Sequence, residues 1–459
     1  MALMPPTDSM FLVAERREQP MHVGGLQLFV PPADAGPDSL GELYQRALDI
    51  QEVAPLFRRR ALRSFATAGQ WTWAEDPAID LEHHFRHSAL PRPGRIRELL
   101  ALTSRLHGTL LDRHRPLWEV HLIEGLEDGR FAVYTKMHHA MMDGVSALRL
   151  LQHSLSVDPD ERDAPLPWDA HHPRWTRHSE RPSAAGGGLL GLPGAALHTA
   201  ADVAGIGPAM LKVAARGLRE QALALPGQAP RTMFNRSITG SRRFAADAWP
   251  LDSIKAVARA ADATVNDVVL AMCSGALRAY LTEQSALPHE PLIAMTPVSL
   301  RQDDQDDGGN AVATILCSLG THLDDPVDRL MAVRTSMRQG KAALQGLTQI
   351  QATALSAIVM TPLGLNSLFA LHKLAPPPFN LVISNIPGPS TPLYWNGARL
   401  DGLYPLSIPT DGQALNITVT SYNGEVQFGL TGCRRTVPSL QRLLVHLDDE
   451  LAGLVKQLT

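Results

Sequence analysis

Two adjacent histidines followed by an aspartate are the residues of this 459-residue sequence best suited to do chemistry. His138, His139, Asp143 and Gly144 stand in the mostly apolar stretch TKMHHAMMDGVSALRLL, residues 135–151. Histidine is the side chain best poised to remove a proton near neutral pH, and a hydroxyl or thiol that attacks a carbonyl must lose one. The aspartate would support such a base either by orienting its ring or by fixing the loop through a structural ion pair. An aspartate at a helix entry beside a glycine resembles a loop organiser, although the sequence alone leaves both roles open.

Two alternatives to acid–base chemistry apply to these histidines. The first is a metal site, but adjacent residues on a strand point to opposite faces and no third cluster of ligands accompanies them. The second is that both histidines are satisfied core residues at the end of a strand. The tight strand-to-helix turn and the aspartate favour acid–base chemistry over both alternatives, and no metal is expected.

Two strands and a helix are predicted to hold this motif. LWEVHLIEGL (residues 117–126) and FAVYTKM (131–137) are typical of strands, and the Asp-Gly at 128–129 is a favoured hairpin turn. The histidines therefore fall where the second strand stops. SALRLLQHSL (146–155) predicts a helix that has Asp143 at its entry.

Length, composition and charge narrow the class of protein. A chain with 44% hydrophobic and 19% charged residues describes a soluble globular protein, and its length suits two domains. A net charge of -4 gives no basic surplus for binding nucleic acid. Cys273, Cys317 and Cys433 are far apart, which argues against a disulfide scaffold or a zinc cluster and suits a reducing cytoplasm. The first residues lack the features of a signal peptide. The longest weakly polar stretch, residues 189–215, is broken by prolines and charges, so any contact with lipid should be peripheral.

The chain divides by composition into three parts. Residues 1–157 and 233–459 alternate strand-like and helical patterns, whereas residues 158–232 are rich in proline and then in glycine and alanine. We expect two mixed α/β lobes joined by a long linker that carries one or two short helices. The further predicted elements are strands at Gly25–Val30, Pro291–Leu300, 380–389, 415–424 and 425–432, and helices at Ser39–Ile50, Val265–Leu281, Asp325–Leu347 and Ser439–Leu458.

The motif HHxxxDG, complete here at residues 138–144, is the signature of the coenzyme A-dependent acyltransferase superfamily. Within it, the chain resembles the bacterial wax ester synthase/diacylglycerol acyltransferase family. MHVGG (21–25), PLWEVHLIEGL (116–126), VNDVVLA (265–271) and SNIPGP (384–389) resemble family blocks and occur in the family order. Peptide-synthetase condensation domains share HHxxxDG alone, but the combination is highly specific and covers nearly the whole chain.

This resemblance implies an α/β (α+β) fold of two chloramphenicol-acetyltransferase-like lobes, each a mixed sheet with helices, with a tunnel between them. Acyl-CoA would enter from one side as the co-substrate, with no other cofactor, and the acceptor alcohol from the other. His139 would take the hydroxyl proton as the alcohol attacks the thioester, without a covalent acyl-enzyme. His138 is expected to face away or to shape the pocket wall. In similar folds the aspartate matching Asp143 points away and stabilises the site, and Gly144 would support the same loop.

Four further residues in the family blocks are candidates for an oxyanion donor or for lining the tunnel. Asn266 and Asp267 stand at the start of an apolar helix, where the alternative is a capping role shared with Thr264. Ser384 and Asn385 precede a Pro-Gly pair, where the alternative is a turn formed for backbone reasons alone. We expect this turn to line the tunnel or to help hold the two lobes together.

Other polar residues are predicted to be structural. Glu119 interrupts a core strand and is expected to pair with an arginine such as Arg149 or Arg301. The pair of histidines in HHF (83–85) lacks the aspartate and glycine of the motif and is interpreted as surface or structural. RQDDQDDGGN (301–310) lacks the full spacing of a calcium loop and is interpreted as a solvated turn. A CoA site would depend on dispersed lysines and arginines, because no glycine-rich phosphate loop is visible.

The leading hypothesis is an O-acyltransferase that esterifies a long-chain alcohol or diacylglycerol from fatty acyl-CoA. A condensation-type acyltransferase is a weaker alternative, because no carrier domain follows the single unit. A non-catalytic lipid-binding or droplet-coating protein is an alternative of another class, and the complete HHxxxDG argues against it. The expected location is the cytoplasm, and peripheral contact with the inner membrane or lipid droplets is left open. The sequence predicts neither the preferred acceptor nor the oligomeric state.

Overall fold

Two six-stranded sheets dominate the part of the chain that the computed structural model describes, residues 2–63, 67, 69–172, 227–299, 312–345, 351 and 376–459. The strands are β1 (Ala2–Leu3), β2 (His22–Val30), β3 (Arg59–Arg63), β4 (Trp71–Glu75), β5 (Phe85–Ala89), β6 (Trp118–Glu124), β7 (Phe131–His138), β8 (Arg242–Pro250), β9 (Ile293–Ser299), β10 (Val312–Ser318), β11 (Leu381–Ile386), β12 (Tyr394–Trp395), β13 (Ala398–Leu406), β14 (Leu415–Tyr422) and β15 (Glu425–Cys433). The helices are α1 (Pro6–Ala14), α2 (Ser39–Leu48), α3 (Leu81–His84), α4 (Ile96–Gly108), α5 (Gly144–His153), α6 (Leu251–Ala260), α7 (Val265–Glu283), α8 (Pro326–Leu344) and α9 (Arg442–Leu458).

The first sheet has the strand order β12-β13-β2-β7-β6-β5. The β6–β7 hairpin turns at Asp128 and Gly129, and Gly129 has φ +81°, a conformation that favours glycine. Trp118, Val120 and Leu122 of β6 join one apolar cluster, as their alternation predicts. Helix α5 adds Leu148 and Leu151 to the same cluster and therefore covers this face of the sheet.

Strands β12 and β13 come from the C-terminal part of the chain but complete the first sheet. Strand β13 pairs antiparallel with β2, from Arg399 opposite Val30 to Leu406 opposite Gly24. The same strand contacts the second sheet, because the backbone N–H of Leu403 donates to Gln427 Oε1 of β15 at 2.7 Å. The sequence did not predict this crossover, so the first lobe contains residues from outside the range 1–157.

The second sheet has the order β10-β9-β11-β14-β15-β8, and helices α6, α7, α8 and α9 pack into its apolar core. Strands β14 and β15 form a hairpin at Asn423-Gly424, both with positive φ, as a tight two-residue turn requires. Helix α7 is buried along most of its length, and Gly275 leaves room for Glu450 of α9. Glu450 accepts a hydrogen bond from Arg329 Nε of α8 at 3.1 Å, so this buried charge is paired.

The predicted elements agree closely with the described ones, with most ends shifted by a few residues. The last helix begins at Arg442 rather than Ser439, and the helix predicted at Asp325 begins at Pro326 with Asp325 as its N-cap. Residues 173–226 of the predicted linker and the acidic stretch 301–310 lie outside the described residues. Among the helices that are described, none combines the length and apolarity needed to cross a membrane.

Candidate active site

The HHxxxDG turn lies at the end of β7 and is held by backbone hydrogen bonds to neighbouring segments. The N–H of His138 donates to Leu117 O at 2.9 Å, and the N–H of His139 donates to Met21 O at 2.8 Å. Met141 N–H donates back to His138 O at 2.9 Å, which closes the turn. The turn is therefore fixed to the segments that precede β2 and β6.

His139 is half-buried at this turn and stacks on Phe11 of α1, with ring centroids 4.0 Å apart and an interplanar angle of 22°. Burial lowers the pKa of His139 to about 4, even though the charge of Asp143 acts to raise it. The ring is consequently neutral at physiological pH. A neutral imidazole is the form that can accept a proton.

Asp143 is the N-cap of α5. Its Oδ1 accepts from the backbone N–H of Ser146 at 2.8 Å and its Oδ2 accepts from Ser146 Oγ at 3.1 Å. These bonds satisfy groups at the start of the helix and set the direction in which it leaves the turn. A Cβ placed on Gly144 would meet only Val23 at 3.6 Å, an ordinary contact, so the described surroundings leave room for a side chain there.

His138 is fully buried and faces Glu15, the residue that ends α1. Its Nδ1 accepts from the backbone N–H of Ala140 at 3.0 Å, so the ring proton lies on Nε2, which is 3.4 Å from Glu15 Oε1. Glu15 also accepts from Met21 N–H at 3.2 Å and from Arg113 Nε at 3.0 Å. Burial raises the pKa of Glu15, but the hydrogen bonds from His138, Met21 and Arg113 outweigh it and keep the pKa below its ordinary value.

Glu15 and Arg113 are functional candidates that the sequence did not reveal. They are 98 residues apart in the chain, and no motif or spacing links them. The cluster formed by Glu15, Arg113 and His138 supports the turn from behind, because His138 in turn binds the backbone of Ala140. We call this group the Glu15 cluster.

A second buried polar group lies along the same face of β7. Lys136 is fully buried and its Nζ lies 3.1 Å from Glu119 Oε2, while Arg86 lies 3.5 Å from Glu119 Oε1. Burial raises the pKa of Glu119, but hydrogen bonds and charges from His121, Lys136 and Arg86 lower it to about 2. The prediction that Arg149 pairs with Glu119 is wrong, because Arg149 belongs to α5 and α5 packs on the opposite face of the sheet.

The other predicted partner of Glu119, Arg301, lies outside the described residues. The histidines at 83–85 are structural where they are buried: His84 stacks on Trp118 with ring centroids 4.4 Å apart and bonds its backbone oxygen at 2.8 Å. Burial lowers the pKa of His84 to about 4. Within the described ranges, no group of three histidine, cysteine or acidic residues is placed to hold a metal ion.

Asn266 and Asn385 are brought together in the second lobe. Asn385 Nδ2 of β11 donates to Asn266 Oδ1 of α7 at 3.2 Å. The helix cap is formed by the two neighbouring residues: Asp267 N–H donates to Thr264 Oγ1 at 3.2 Å, and Thr264 N–H donates to Asp267 Oδ2 at 2.9 Å. Asn266 therefore links two elements instead of sharing the cap.

The SNIPGP segment contacts both lobes. Ser384 lies in β11 opposite Thr418 of β14, and the turn follows directly. A Cβ on Gly388 would lie 2.1 Å from Ser421 O and 2.9 Å from Gln152 Nε2 of α5, so only glycine fits between β14 and the first lobe. This contact places the turn at the junction of the lobes.

A solved structure of low sequence identity shares this two-lobed arrangement. The starter condensation domain of rhizomide synthetase matches with a TM-score of 0.57, covering 99% of this chain and 94% of that chain at 13% identity. The likeness shows the two-lobed fold alone, since the sequences have diverged so far. The predicted fold is confirmed.

More similar proteins identify the family. Models of the wax ester synthase/diacylglycerol acyltransferase catalytic domain and of the WS/DGAT C-terminal domain match residues 4–269 and 308–454. A wax ester synthase/diacylglycerol acyltransferase from Marinobacter aquaeolei VT8 is 43% identical, with a TM-score of 0.77 and 99% of both chains covered. A probable diacylglycerol O-acyltransferase of Mycobacterium tuberculosis is 53% identical over 455 residues, 99% of each chain. The chain belongs to the wax ester synthase/diacylglycerol acyltransferase family, as predicted, and is an acyltransferase.

Proposed function

We propose that this acyltransferase moves a fatty acyl group from acyl-CoA to the hydroxyl of a long-chain alcohol or of diacylglycerol, with His139 as the general base. The observation that carries the proposal is a neutral imidazole on a turn held by three backbone hydrogen bonds. The activities for which the Mycobacterium and Marinobacter relatives are named support the choice of acceptors.

The proposed reaction is a single displacement. The acceptor oxygen attacks the thioester carbonyl while His139 removes its proton, and the C–S bond breaks as the ester forms. The CoA thiolate leaves and takes the proton back from His139. No covalent enzyme intermediate and no further cofactor is required.

Asp143 has a positioning role in this proposal, because its side chain is engaged in capping α5. Its charge also acts to raise the pKa of His139, which strengthens the base. Gly144 continues the same turn. His138 holds the turn from behind through the Glu15 cluster.

Asn266 and Asn385 are the proposed donors to the oxyanion. Their mutual bond uses one N–H of Asn385 and fixes both amides near the end of β11. A preorganised amide N–H group stabilises a developing negative charge without having to reorient during the reaction. Asp267 would serve through the cap that positions Asn266, and Ser384 through the turn that meets the first lobe.

The experiment is a turnover assay with the purified protein, palmitoyl-CoA and either hexadecanol or dioleoylglycerol, with CoA release as the measurement. His139→Ala should lower turnover by about 100-fold or more while the melting temperature stays near that of wild type. His114→Ala, an exposed histidine in the same lobe, is the matched control and should be fully active. Near wild-type turnover of His139→Ala would exclude it as the base. Failure of the wild type to release CoA, together with lipid binding that His139→Ala does not change, would favour a coat protein.

A further inference from the structure

An open pocket of about 630 Å³ lies in the second lobe, between the segment that leads into β8 and the residues just beyond the end of α7. Its polar wall includes Arg231, Thr232, Arg236 and Ser237, and none of the described residues that line it is acidic. Sites for small molecules commonly have volumes in this range. The pocket therefore has room for a ligand the size of a nucleotide, and its charge favours an anion.

The backbone that carries the two arginines is fixed by buried hydrogen bonds. Asn235 Nδ2 donates to Gly412 O at 3.1 Å, and the Thr232 hydroxyl donates to Asn235 Oδ1 at 3.0 Å. Both Thr232 and Asn235 are buried. Together they close a single turn of 3-10 helix that separates Arg231 from Arg236. The two arginines therefore leave from fixed backbone on either side of one short turn.

The side chains of the two arginines face solvent, where a ligand meets them. Arg231 and Arg236 are both exposed, and within the described part of the chain Arg236 forms no ion pair. Two more exposed arginines, Arg434 and Arg435, lie beside the same segment, because the N–H of Arg434 donates to Ser241 O at 3.0 Å. Arginine binds phosphate through paired N–H groups, and a cluster of positive charge attracts anionic ligands.

The turn at residues 410–413 joins the pocket to the first lobe. The N–H of Gly412 donates to Arg236 O at 3.3 Å, and the N–H of Asp411 donates to Gln19 Oε1 at 2.7 Å. The Asp411 carboxylate accepts from the backbone N–H of Ile238 at 3.0 Å, so it serves the junction. The pocket is therefore bonded to the segment that leads into β2.

That segment also holds the proposed base. Gln19 lies two residues before Met21, whose oxygen accepts from the N–H of His139 at 2.8 Å. Summed over these hydrogen bonds and chain steps, the path from Arg236 to His139 is no more than roughly 30 Å, and the straight line is shorter. In acyl-CoA, the pantetheine arm and the diphosphate separate the thioester from the adenosine by a length of the same order.

We propose that this pocket binds the phosphates and the adenosine of acyl-CoA, with Arg231 and Arg236 as the residues that contact phosphate. The inference rests on the proposed function, because it places the thioester of the same molecule at His139. Met233 and Ala286, both partly buried, give the pocket an apolar wall for the adenine. Such a site holds CoA with arginines on a fixed turn instead of a glycine-rich phosphate loop.

The first test compares three acyl donors with hexadecanol as the fixed acceptor: palmitoyl-CoA, its 3′-dephospho form and S-palmitoyl-pantetheine. Wild-type kcat/KM should be about tenfold or more higher for palmitoyl-CoA than for the pantetheine thioester, which carries no phosphate. Arg231→Ala and Arg236→Ala should each lower kcat/KM for palmitoyl-CoA about five- to tenfold, through KM, and leave the pantetheine thioester unaffected. Arg236→Lys should recover part of the loss, because it keeps the charge without the paired N–H groups.

Arg259→Ala is the matched control, because it removes an exposed arginine of α6 in the same lobe but outside the pocket. It should leave kcat/KM unchanged with all three donors. The 3′-dephospho donor identifies the phosphate that Arg236 contacts. An effect of Arg236→Ala that disappears with this donor assigns the 3′-phosphate, and one that persists assigns the diphosphate.

Calorimetry with free CoA tests the site without turnover. Wild type should bind CoA about five- to tenfold more tightly than Arg236→Ala, at equal melting temperatures. Equal affinity of wild type, Arg231→Ala and Arg236→Ala for CoA overturns the inference. A wild-type enzyme that uses the pantetheine thioester as well as palmitoyl-CoA also overturns it, and leaves the proposed function intact. CoA binding that depends on Arg236, in a protein that turns over none of the donors, would support the site and contradict the proposed function.

Discussion

The two faces of β7 differ in the way they are buried. Its odd-numbered side chains, such as Val133, Thr135 and Met137, face an apolar cavity. Of its even-numbered ones, Tyr134 donates its hydroxyl to His107 Nδ1 and Lys136 pairs with Glu119. The odd-numbered face borders empty space, whereas the polar groups of Tyr134 and Lys136 on the other face have fixed partners. A single strand can therefore separate an apolar cavity from the polar groups that support the HHxxxDG turn.

The hydrogen bonds of His107 show how polar groups on this face are fixed. Its Nε2 donates to Ser407 O at 3.0 Å, so its Nδ1 accepts from the Tyr134 hydroxyl at 2.8 Å. Its own backbone oxygen accepts from His22 Nε2 at 2.7 Å. Burial lowers the pKa of His107 to about 3, although the bond to Ser407 acts to raise it. The His107 ring is therefore held in one tautomer without a charge.

The largest effect is expected from breaking the ion pair of the polar face. Lys136→Met should lower the free energy of unfolding by about 3–5 kcal/mol, because it leaves Glu119 buried with weaker partners. Urea denaturation of the purified protein measures this change. Lys255→Met, which removes a surface lysine in a loose pair with Asp252, should change stability by less than about 1 kcal/mol. Equal effects of the two substitutions would show that the polar face contributes no special stability.

An intermediate effect is expected from pH. Because the pKa of His107 is lowered in the folded protein, its contribution to stability is complete above pH 6.5 and is lost as the pH falls towards about 3. His107→Gln should therefore reduce the slope of unfolding free energy against pH, between pH 6 and 5, by up to about 1.4 kcal/mol per pH unit. Urea titrations at several pH values measure both slopes. Identical slopes would mean that His107 becomes protonated within the folded lobe.

The smallest effect is expected at the turn where the two faces meet. Asp143→Ala should cost about 1 kcal/mol through the lost cap, whereas Asp143→Asn should retain most of it. Both remove the charge that acts to raise the pKa of His139, so the acid limb of kcat/KM should move below the wild-type value of about 4. The pH dependence of CoA release measures this shift. Activity lost at every pH by Asp143→Asn, with unchanged stability, would make Asp143 a direct partner of His139.

Local patterns explain why much of the site was predictable. The strand, turn and helix around HHxxxDG, the cap by Asp143, the hairpin at Asp128-Gly129 and the start of α7 all depend on residues close in sequence. These signals act through backbone geometry, which neighbouring residues determine.

The remainder of the site depends on residues that only the fold brings together. Every residue of β7 is buried, so its sequence contains no alternation that could tell the cavity face from the polar face. Glu15 reaches His138 across 123 residues, and the pairing of Glu119 with Lys136 follows from the register of β6 and β7. The addition of β13 to the first sheet has no short-range signal at all.

The crossing of β13 into the first sheet has a consequence for engineering. A chimaera of two family members that is joined only within residues 158–232 would combine a β2 from one parent with a β13 from the other. Gln427, which accepts a hydrogen bond from Leu403 of β13, would come from the same parent as β13. Exchanging acceptor or acyl preference by recombination should therefore succeed more often when residues 394–406 travel with the N-terminal segment. In this protein the segments to exchange together are those that form one sheet, even where they are far apart in sequence.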